Sequence, residues 1–263
     1  MRRVIGVLLA LAALTAVLVL PSWNRNDDEV FQGWVEGDFI FVSPDETGRV
    51  DTLSVREGDK VEPRVPLFTL DDDLQKADVN QVTAQVTNAR QTLDRAQALL
   101  KTAAGTQRAV DDAEMTLRSA EARFNSAQTR LVRRKVFSPV AGTVQQIYFR
   151  QGEMVAAGRP VLSILPPANV KIRFFVPQAK LPQIAIGETV RVRCDGCDGD
   201  LDARVSFISR SAEFTPPVIY STEERSKLVF MIEARPPQGG DRFRVGQPVS
   251  VELVPVVTSE AKR

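Results

Sequence analysis

The fold is decided by residues 71–135, which read DDDLQKADVNQVTAQVTNARQTLDRAQALLKTAAGTQRAVDDAEMTLRSAEARFNSAQTRLVRRK. This stretch contains no proline and a single glycine, Gly105. Apolar residues recur on both sides of that glycine at alternating steps of three and four, the a/d pattern of a coiled coil. They are Val79, Val82, Val86, Ala89, Leu93, Ala96, Leu100 and Ala103, then Val110, Ala113, Leu117, Ala120, Phe124, Ala127 and Leu131. The pattern predicts two helices that pack on each other through this seam.

The ends of the stretch fit a helical hairpin. The acidic residues 71–73 suit the positive end of the first helix, and the basic residues among 130–135 suit the negative end of the second. Gly105 is expected to end the first helix and Thr106 to cap the second. With about 30 residues in each helix, the hairpin should project roughly 45 Å. Because such an arm exposes most of its surface, we interpret it as a contact surface for other chains.

The segments on either side of the hairpin repeat each other. Residues 42–70 and 137–164 align at a constant offset of 94. The matched pairs are Gly48 with Gly142, Val50 with Val144, Leu53 with Ile147, Gly58 with Gly152, Asp59 with Glu153, Val61 with Val155, Pro66 with Pro160 and Leu70 with Ile164. Such glycines among alternating apolar residues are typical of short strands joined by tight turns. Neither half is large enough to fold alone, so the repeat predicts one β-sandwich, residues 30–70 and 136–166, split by the hairpin, residues 71–135.

The sequence after Pro166-Pro167 predicts a second β-domain. Apolar residues alternate over 170–176, and strand-like runs follow at 190–193, 203–208, 228–233 and 249–253, with a short helical turn at 178–184. This pattern favours a small antiparallel β-barrel over residues 167–256. The predicted fold class is therefore mainly β with an α-helical coiled-coil hairpin: a lipoyl-like β-sandwich split by the hairpin, followed by a small barrel.

The N-terminus predicts export. Arg2 and Arg3 precede residues 4–20, which carry no charge. We expect residues 1–22 to form a membrane anchor with its N-terminus in the cytoplasm, which places the bulk of the chain in the periplasm. A cleaved signal peptide is the alternative. Leu18-Val19-Leu20 is a poor cleavage site, which favours the anchor.

Composition argues against several classes of function. The chain has no histidine, so it lacks the commonest general base and the commonest metal ligand. A net charge of +1 and an aromatic content of 6% do not favour nucleic acid. We therefore expect no enzymatic activity, no cofactor, no metal and no nucleic-acid partner.

Cys194 and Cys197 lie in a turn between two strand-like runs, in Cys194-Asp195-Gly196-Cys197. Zinc normally takes four ligands, and there is no further cysteine or histidine. A disulfide that closes the turn is the favoured interpretation in an oxidising compartment, with free thiols as the alternative. The acidic residues Asp195, Asp198, Asp200 and Asp202 could also bind calcium, although loop carboxylates are usually solvated.

Near the hairpin tip, Arg95, Leu99, Thr102 and Thr106 form a stripe beside the seam. Leu99 is a large apolar residue at a g position, next to the a/d set. The stripe predicts a docking surface. The simpler interpretation is an ordinary flanking leucine, a solvated arginine and a capping threonine.

The split sandwich, the inserted heptad hairpin and the following β-domain resemble the haemolysin-D-like periplasmic adaptors, also called membrane fusion proteins, over about residues 30 to 255. In that family, hairpins that dock on TolC-like channels carry arginine, leucine four residues later and serine seven further on. Arg95 and Leu99 match this pattern, and Thr106 keeps the hydroxyl of the serine. The resemblance implies an inner-membrane transporter, a TolC-like outer-membrane channel and a homo-hexamer. Residues 214–225 are similar to adaptors that serve ABC-type exporters.

Two departures from known patterns bear on function. The short segments outside Phe31 and Leu253 predict that the membrane-proximal domain of many adaptors is minimal or missing. The sandwich also resembles biotinyl and lipoyl carriers, but the hairpin occupies the turn that presents the modified lysine in carriers.

An envelope scaffold whose hairpin binds a different partner is the remaining alternative.

Overall fold

The computed structural model describes residues 30–195, 197, 199–214, 228–237 and 240–254. One compact unit is built mainly from residues 37–170, and the other mainly from residues 30–36 and the segments after residue 170. The α-helices of the described residues are α1 (Asp73–Lys101) and α2 (Gln107–Val132), and 3-10 helices span Pro167–Asn169, Gln178–Gln183 and Gly240–Arg242. The strands are β1 (Val30–Gly37), β2 (Ile40–Val42), β3 (Gly48–Leu53), β4 (Lys60–Val61), β5 (Pro66–Leu70), β6 (Lys135–Phe137), β7 (Gly142–Ile147), β8 (Met154–Val155), β9 (Leu162–Leu165), β10 (Val170–Pro177), β11 (Thr189–Arg193), β12 (Leu201–Phe214), β13 (Leu228–Arg235) and β14 (Pro248–Leu253).

The first unit contains a β-sandwich. Its two four-stranded antiparallel sheets have the strand orders β2-β9-β7-β4 and β6-β5-β3-β8. Both repeats contribute to one apolar core, in which Val50 and Leu70 lie with their repeat counterparts Val144 and Ile164. The predicted fold class, a sandwich split by a helical hairpin and accompanied by a barrel, is confirmed.

The two halves of the sandwich interlock through their turns. The Gly58 N–H of the first half donates to the Val144 carbonyl of the second at 2.8 Å. The Gly152 N–H of the second half donates in the same way to Val50 of the first at 2.8 Å. Both glycines adopt positive φ, 91° and 92°, which suits glycine because it has no Cβ. Each half therefore completes its hydrogen bonding only through the other half.

Helices α1 and α2 pack along the predicted seam. The buried residues of the seam are all alanine or valine, whereas its leucine and phenylalanine side chains are half-buried, as are Val79, Val86 and Ala96. The buried set is Val82, Ala89, Val110, Ala113, Ala120 and Ala127, and the half-buried set includes Val86, Leu93, Leu100, Leu117 and Phe124. This difference is expected when only two helices pack together. Small residues let the two backbones approach closely, whereas large side chains extend to the edge of the contact between the helices, where solvent reaches them. Ion pairs join the helices at Asp78–Arg130, 2.7 Å, and at Arg90–Glu121, 3.4 Å.

The turn between the helices differs from the prediction. Helix α1 ends at Lys101, before Gly105, and the residue with left-handed backbone is Ala103, with φ 58°. Ala103 is exposed in the turn and does not belong to the seam. Gly105 instead allows a close approach, because a Cβ there would lie 3.1 Å from the Leu99 Cβ.

The second unit is a closed antiparallel barrel with the strand order β1-β10-β13-β12-β11-β14. Phe31, Phe174, Ile232 and Val251 are buried inside it. Closure leaves no free sheet edge for unwanted strand pairing. The short helical turn expected at 178–184 is the 3-10 helix Gln178–Gln183. Strand β12 is longer than the run 203–208 that the sequence indicated.

Strand β1 corrects the predicted domain boundary. Residues 30–70 were assigned to the sandwich, but β1 pairs with β14, for example Phe31 with Val251, and so belongs to the barrel. Its alternating burial points Phe31, Gly33 and Val35 inward. Since the repeat begins at residue 42, it gave no evidence for placing β1 in the sandwich.

Candidate docking site at the hairpin tip

The tip is a compact hydrogen-bonded turn. Backbone N–H groups of Ala103 and Ala104 donate to the carbonyls of Leu100 and Leu99, each at 3.0 Å. The Thr102 hydroxyl also donates to the Leu99 carbonyl, at 3.0 Å. These bonds satisfy carbonyls that the end of a helix leaves without partners. The turn therefore holds the backbone of Leu99 in place.

Leu99 presents an apolar group to solvent at this turn. Its side chain is 51% exposed, although the surrounding backbone is fixed. Gly105 approaches one side of Leu99 so closely that a Cβ at position 105 would require a small shift of its neighbours. An exposed leucine on a rigid support can bind an apolar surface at a small cost in conformational entropy.

Arg95 lies one helical turn before Leu99 on the same side of α1. Its Nη2 donates to the Thr92 hydroxyl at 3.2 Å. Arg90, Arg118 and Arg130 each form an ion pair, but no carboxylate of the described residues lies within ion-pair distance of Arg95. Its guanidinium therefore keeps donors available for a carboxylate or carbonyl outside the hairpin.

Thr106 is the N-cap of α2. Its side-chain oxygen accepts a hydrogen bond from the Ala109 N–H at 3.2 Å. The hydroxyl hydrogen takes no part in this bond and can be donated elsewhere. Capping and docking are thus compatible at Thr106.

The sequence did not predict the role of Arg134, which was considered only as a basic residue near the end of the second helix. In the structure it is 7% exposed at the root of the hairpin. Its Nη1 donates to the Thr47 carbonyl at 3.1 Å, and its Nη2 lies 3.3 Å from the Glu46 carboxylate. The repeat gave no signal for this role, because Arg134 precedes the second repeat segment, which begins at residue 137.

Cys194 and Cys197 form a disulfide between β11 and β12. Gln247 Nε2 donates to the Cys197 sulfur at 3.6 Å. A groove of about 440 Å³ beside the disulfide is lined by residues that include Val30, Asp195 and Glu252. No cluster of acidic residues suited to a metal ion occurs among the described residues, and Asp198, one of the aspartates considered for calcium, lies outside them.

A chain of charges crosses β1, β10 and β13 of the barrel. Glu233 accepts from Lys171 at 3.0 Å and from Arg173 at 3.1 Å, and Arg173 pairs with Glu36 at 2.8 Å. Burial acts to raise the pKa of Glu233, but the hydrogen bonds from Lys171 and Arg173 outweigh it, so the pKa is lowered. Glu233 is therefore held as a carboxylate.

Two sequence predictions lie outside the described residues. They are the anchor at residues 1–22 and most of the stretch 214–225 that is similar to adaptors of ABC-type exporters. Within the described ranges, no helix is long and apolar enough to cross a membrane.

The described chain thus combines a sandwich that is split by a long helical hairpin with a closed six-stranded barrel. Residues 39–165 match the model of the barrel-sandwich hybrid domain of the RND membrane fusion proteins. This match confirms the resemblance to the membrane fusion proteins over residues 39–165.

Several curated relatives are named as membrane proteins. A UPF0194 membrane protein of Acidithiobacillus ferridurans is 30% identical over 68% of this chain and 54% of its own length. A second, from Salmonella gallinarum, is 28% identical over 63% of this chain and 53% of its own length. The chain thus spans about half the length of these relatives.

Solved structures share the fold at low identity. The membrane fusion protein Spr0693 from Streptococcus pneumoniae superposes with a TM-score of 0.64 at 19% identity, over 86% of this chain and 98% of that one. A MacA chimera that contains the Pseudomonas aeruginosa MexA α-hairpin domain gives a TM-score of 0.65 at 17% identity, over 85% of this chain and 79% of the chimera.

Proposed function

We propose that this protein is a periplasmic adaptor that links an inner-membrane transporter to a TolC-like outer-membrane channel for efflux or secretion. The observation that carries the proposal is the hairpin tip, where Leu99 is 51% exposed on a fixed turn. Arg95, which forms no ion pair with the described chain, lies one turn away. In this proposal residues 1–22 anchor the chain in the inner membrane and the domains described here lie in the periplasm.

The chemistry of the tip suits a channel surface with an apolar pocket beside a hydrogen-bond acceptor. Complete burial of a leucine stabilises a complex by about 1.5–3 kcal/mol, and roughly half of that is available to the half-exposed Leu99. Arg95 would add charge-assisted hydrogen bonds to a carbonyl or carboxylate. The Thr106 hydroxyl supplies a further donor.

Export by whole cells tests this proposal. We expect Arg95→Asp and Leu99→Asp to abolish export while the protein remains folded, because both side chains lie off the seam. Arg56→Asp makes the same charge change on a turn of the sandwich and should retain export. A photo-crosslinker at residue 99 should capture the channel. Wild-type export by both tip variants would contradict the proposal, and capture of a different envelope protein would favour the scaffold alternative.

Leu93→Asp is the contrasting variant. Leu93 lies in the seam and is half-buried, so a carboxylate there should destabilise the hairpin by roughly 2–3 kcal/mol. Circular dichroism should show a loss of helix for Leu93→Asp and none for Leu99→Asp. This difference separates failure of docking from failure of folding.

We also propose that several copies of the protein pack side by side through their hairpins. The resemblance to the adaptor family implies a homo-hexamer. One face of the hairpin carries a groove of about 520 Å³. Its lining includes the small residues Ala89 and Ala120 and the polar side chains of Asn88, Thr92 and Ser119. Such a surface supports reversible packing against the polar face of a second copy. Native mass spectrometry of the full chain would measure the number of copies, and a monomer at every concentration would contradict this part of the proposal.

A further inference from the structure

The hairpin meets the sandwich where the chain leaves β5 and where it enters β6. At this junction the Leu70 N–H donates to the Arg134 carbonyl at 2.8 Å, and Thr69 pairs with Lys135. The Asp71 N–H donates to the Arg49 carbonyl at 2.9 Å. Backbone bonds between strands run within the sheet, so they resist bending in its plane far better than bending out of it. Resistance to out-of-plane bending must come mainly from side chains.

The Arg134 guanidinium joins three parts of this junction. It extends from the end of α2 to the loop before β3, where it contacts the Thr47 carbonyl and Glu46. With the Gln75 amide oriented to accept, Gln75 Oε1 also receives bonds from Arg134 Nη2 and, at 3.1 Å, from Nε. Since Gln75 lies in the first turn of α1, one side chain connects both helices to the sandwich.

The loop that receives Arg134 is itself fixed to the second repeat. The Thr47 hydroxyl accepts from the Ala157 N–H at 3.2 Å, and the Pro44 carbonyl accepts from the Gly158 N–H at 2.9 Å. Gly48 provides the space, because a Cβ at this position would overlap Arg134 Nη1. The loop is therefore a firm anchor for the arginine.

We propose that Arg134 is a positioning residue that fixes the direction of the hairpin relative to the sandwich. Its importance for docking rests on the function proposed above, but its effect on direction is a property of the isolated chain. An arm of roughly 45 Å amplifies small angles: about 10° of freedom at the root displaces the tip by roughly 8 Å. Loss of Arg134 would leave the tip residues intact but no longer pre-aligned with their partner.

Arg133 offers a matched control. It is the preceding residue and has the same charge, but its side chain is 56% exposed, and its contact with Asp45 is long, at 3.6 Å. A surface ion pair of this kind contributes little, because solvent screens it. Arg133→Met should therefore leave the direction of the hairpin unchanged, whereas Arg134→Met should release it.

The test is a distance distribution from pulsed electron paramagnetic resonance on the full chain. Spin labels carried by unnatural residues replace the exposed Lys101 near the tip and Gln151 on a turn of the sandwich. We expect a narrow distribution for the parent protein and for Arg133→Met. Arg134→Met should broaden the distribution by about 5 Å or more, as a root angle that varies by ~10° requires.

A second variant covers the case in which Arg134→Met fails to fold. Glu46→Ala removes one partner from a more exposed position and should also broaden the distribution, by a smaller amount. The inference would be overturned if Glu46→Ala, and Arg134→Met where it folds, gave distance distributions as narrow as that of the parent protein. Because no channel is present, a negative result here leaves the docking proposal untouched, and a failed docking experiment leaves this one untouched.

Discussion

Arg64 and Gly158 occupy equivalent turns of the two sandwich repeats, with φ values of 69° and 76°. Their hydrogen bonds correspond: the Arg64 N–H donates to the Ser138 carbonyl at 2.8 Å, and the Gly158 N–H donates to the Pro44 carbonyl at 2.9 Å. The same backbone conformation is thus unstrained in one repeat and strained in the other, because left-handed φ is unfavourable for a residue that has a Cβ.

We therefore expect Arg64→Gly to stabilise the protein by about 0.5–1 kcal/mol, since the strain removed exceeds the added freedom of the unfolded chain. Urea unfolding measures the change. Gly158→Ala is the reciprocal control and should destabilise by a similar amount. Changes of the same sign for the two substitutions would show that the turns are not equivalent.

Gly48→Ala should destabilise the sandwich by about 2 kcal/mol, because the new methyl group overlaps Arg134 and crowds Leu70. Part of this cost should disappear when the arginine is absent. In a double-mutant cycle with Arg134→Met, we expect a combined effect smaller than the sum of the single effects by about 1 kcal/mol. Strict additivity would mean that Arg134 does not require the space at Gly48.

Reduction of the disulfide should act locally. Cys194 and Cys197 are three residues apart, and so short a loop limits the stabilisation to about 2 kcal/mol. In hydrogen exchange, a dithiol should accelerate exchange of amides in β11 and β12 while the hairpin remains unchanged. The double substitution of both cysteines by serine should reproduce the effect and abolish the response to dithiol. Equal exchange in the oxidised and reduced forms would contradict this prediction.

Glu233 makes barrel stability depend on pH. Its folded pKa lies below the ordinary value of 4.5, so its ion pairs contribute fully above that value. As the pH falls below 4.5 and through the lowered folded pKa, this contribution should be lost. Thermal unfolding between neutral and acidic pH measures the loss. Glu233→Gln should have a lower melting temperature at neutral pH, and its melting temperature should fall less steeply as the pH is lowered. An unchanged dependence of melting temperature on pH would exclude a contribution of the Glu233 ion pairs to stability.

Periodicity predicted the elements whose residues repeat. The a/d step located α1 and α2, and the offset that pairs Gly58 with Gly152 located the interlocked turns, because both patterns reflect packing that recurs along the chain. Strand β1 was misplaced because it has no repeat partner and pairs with β14, which is distant in sequence. Pairing between distant segments leaves little trace in local sequence.

The candidate site was predictable in part. Leu99 is conspicuous as a large apolar residue beside the seam, and Thr106 is a good capping residue in the expected place. The conformation of the turn was not predictable, because the left-handed residue is Ala103 although Gly105 was available. The role of Arg134 was also hidden, since its partners Glu46 and Thr47 are brought to it only by the folded sandwich.

The register of Thr69 with Lys135 has a consequence for evolution and design. Because the arm leaves and re-enters the sandwich at adjacent ladder positions, the sandwich imposes no particular arm length. Matched insertions or deletions of seven residues in both helices would preserve the seam and move only the tip. If the chain is the adaptor proposed above, the same sandwich could serve envelopes of different thickness, because the length of the arm can change without any change in the sandwich.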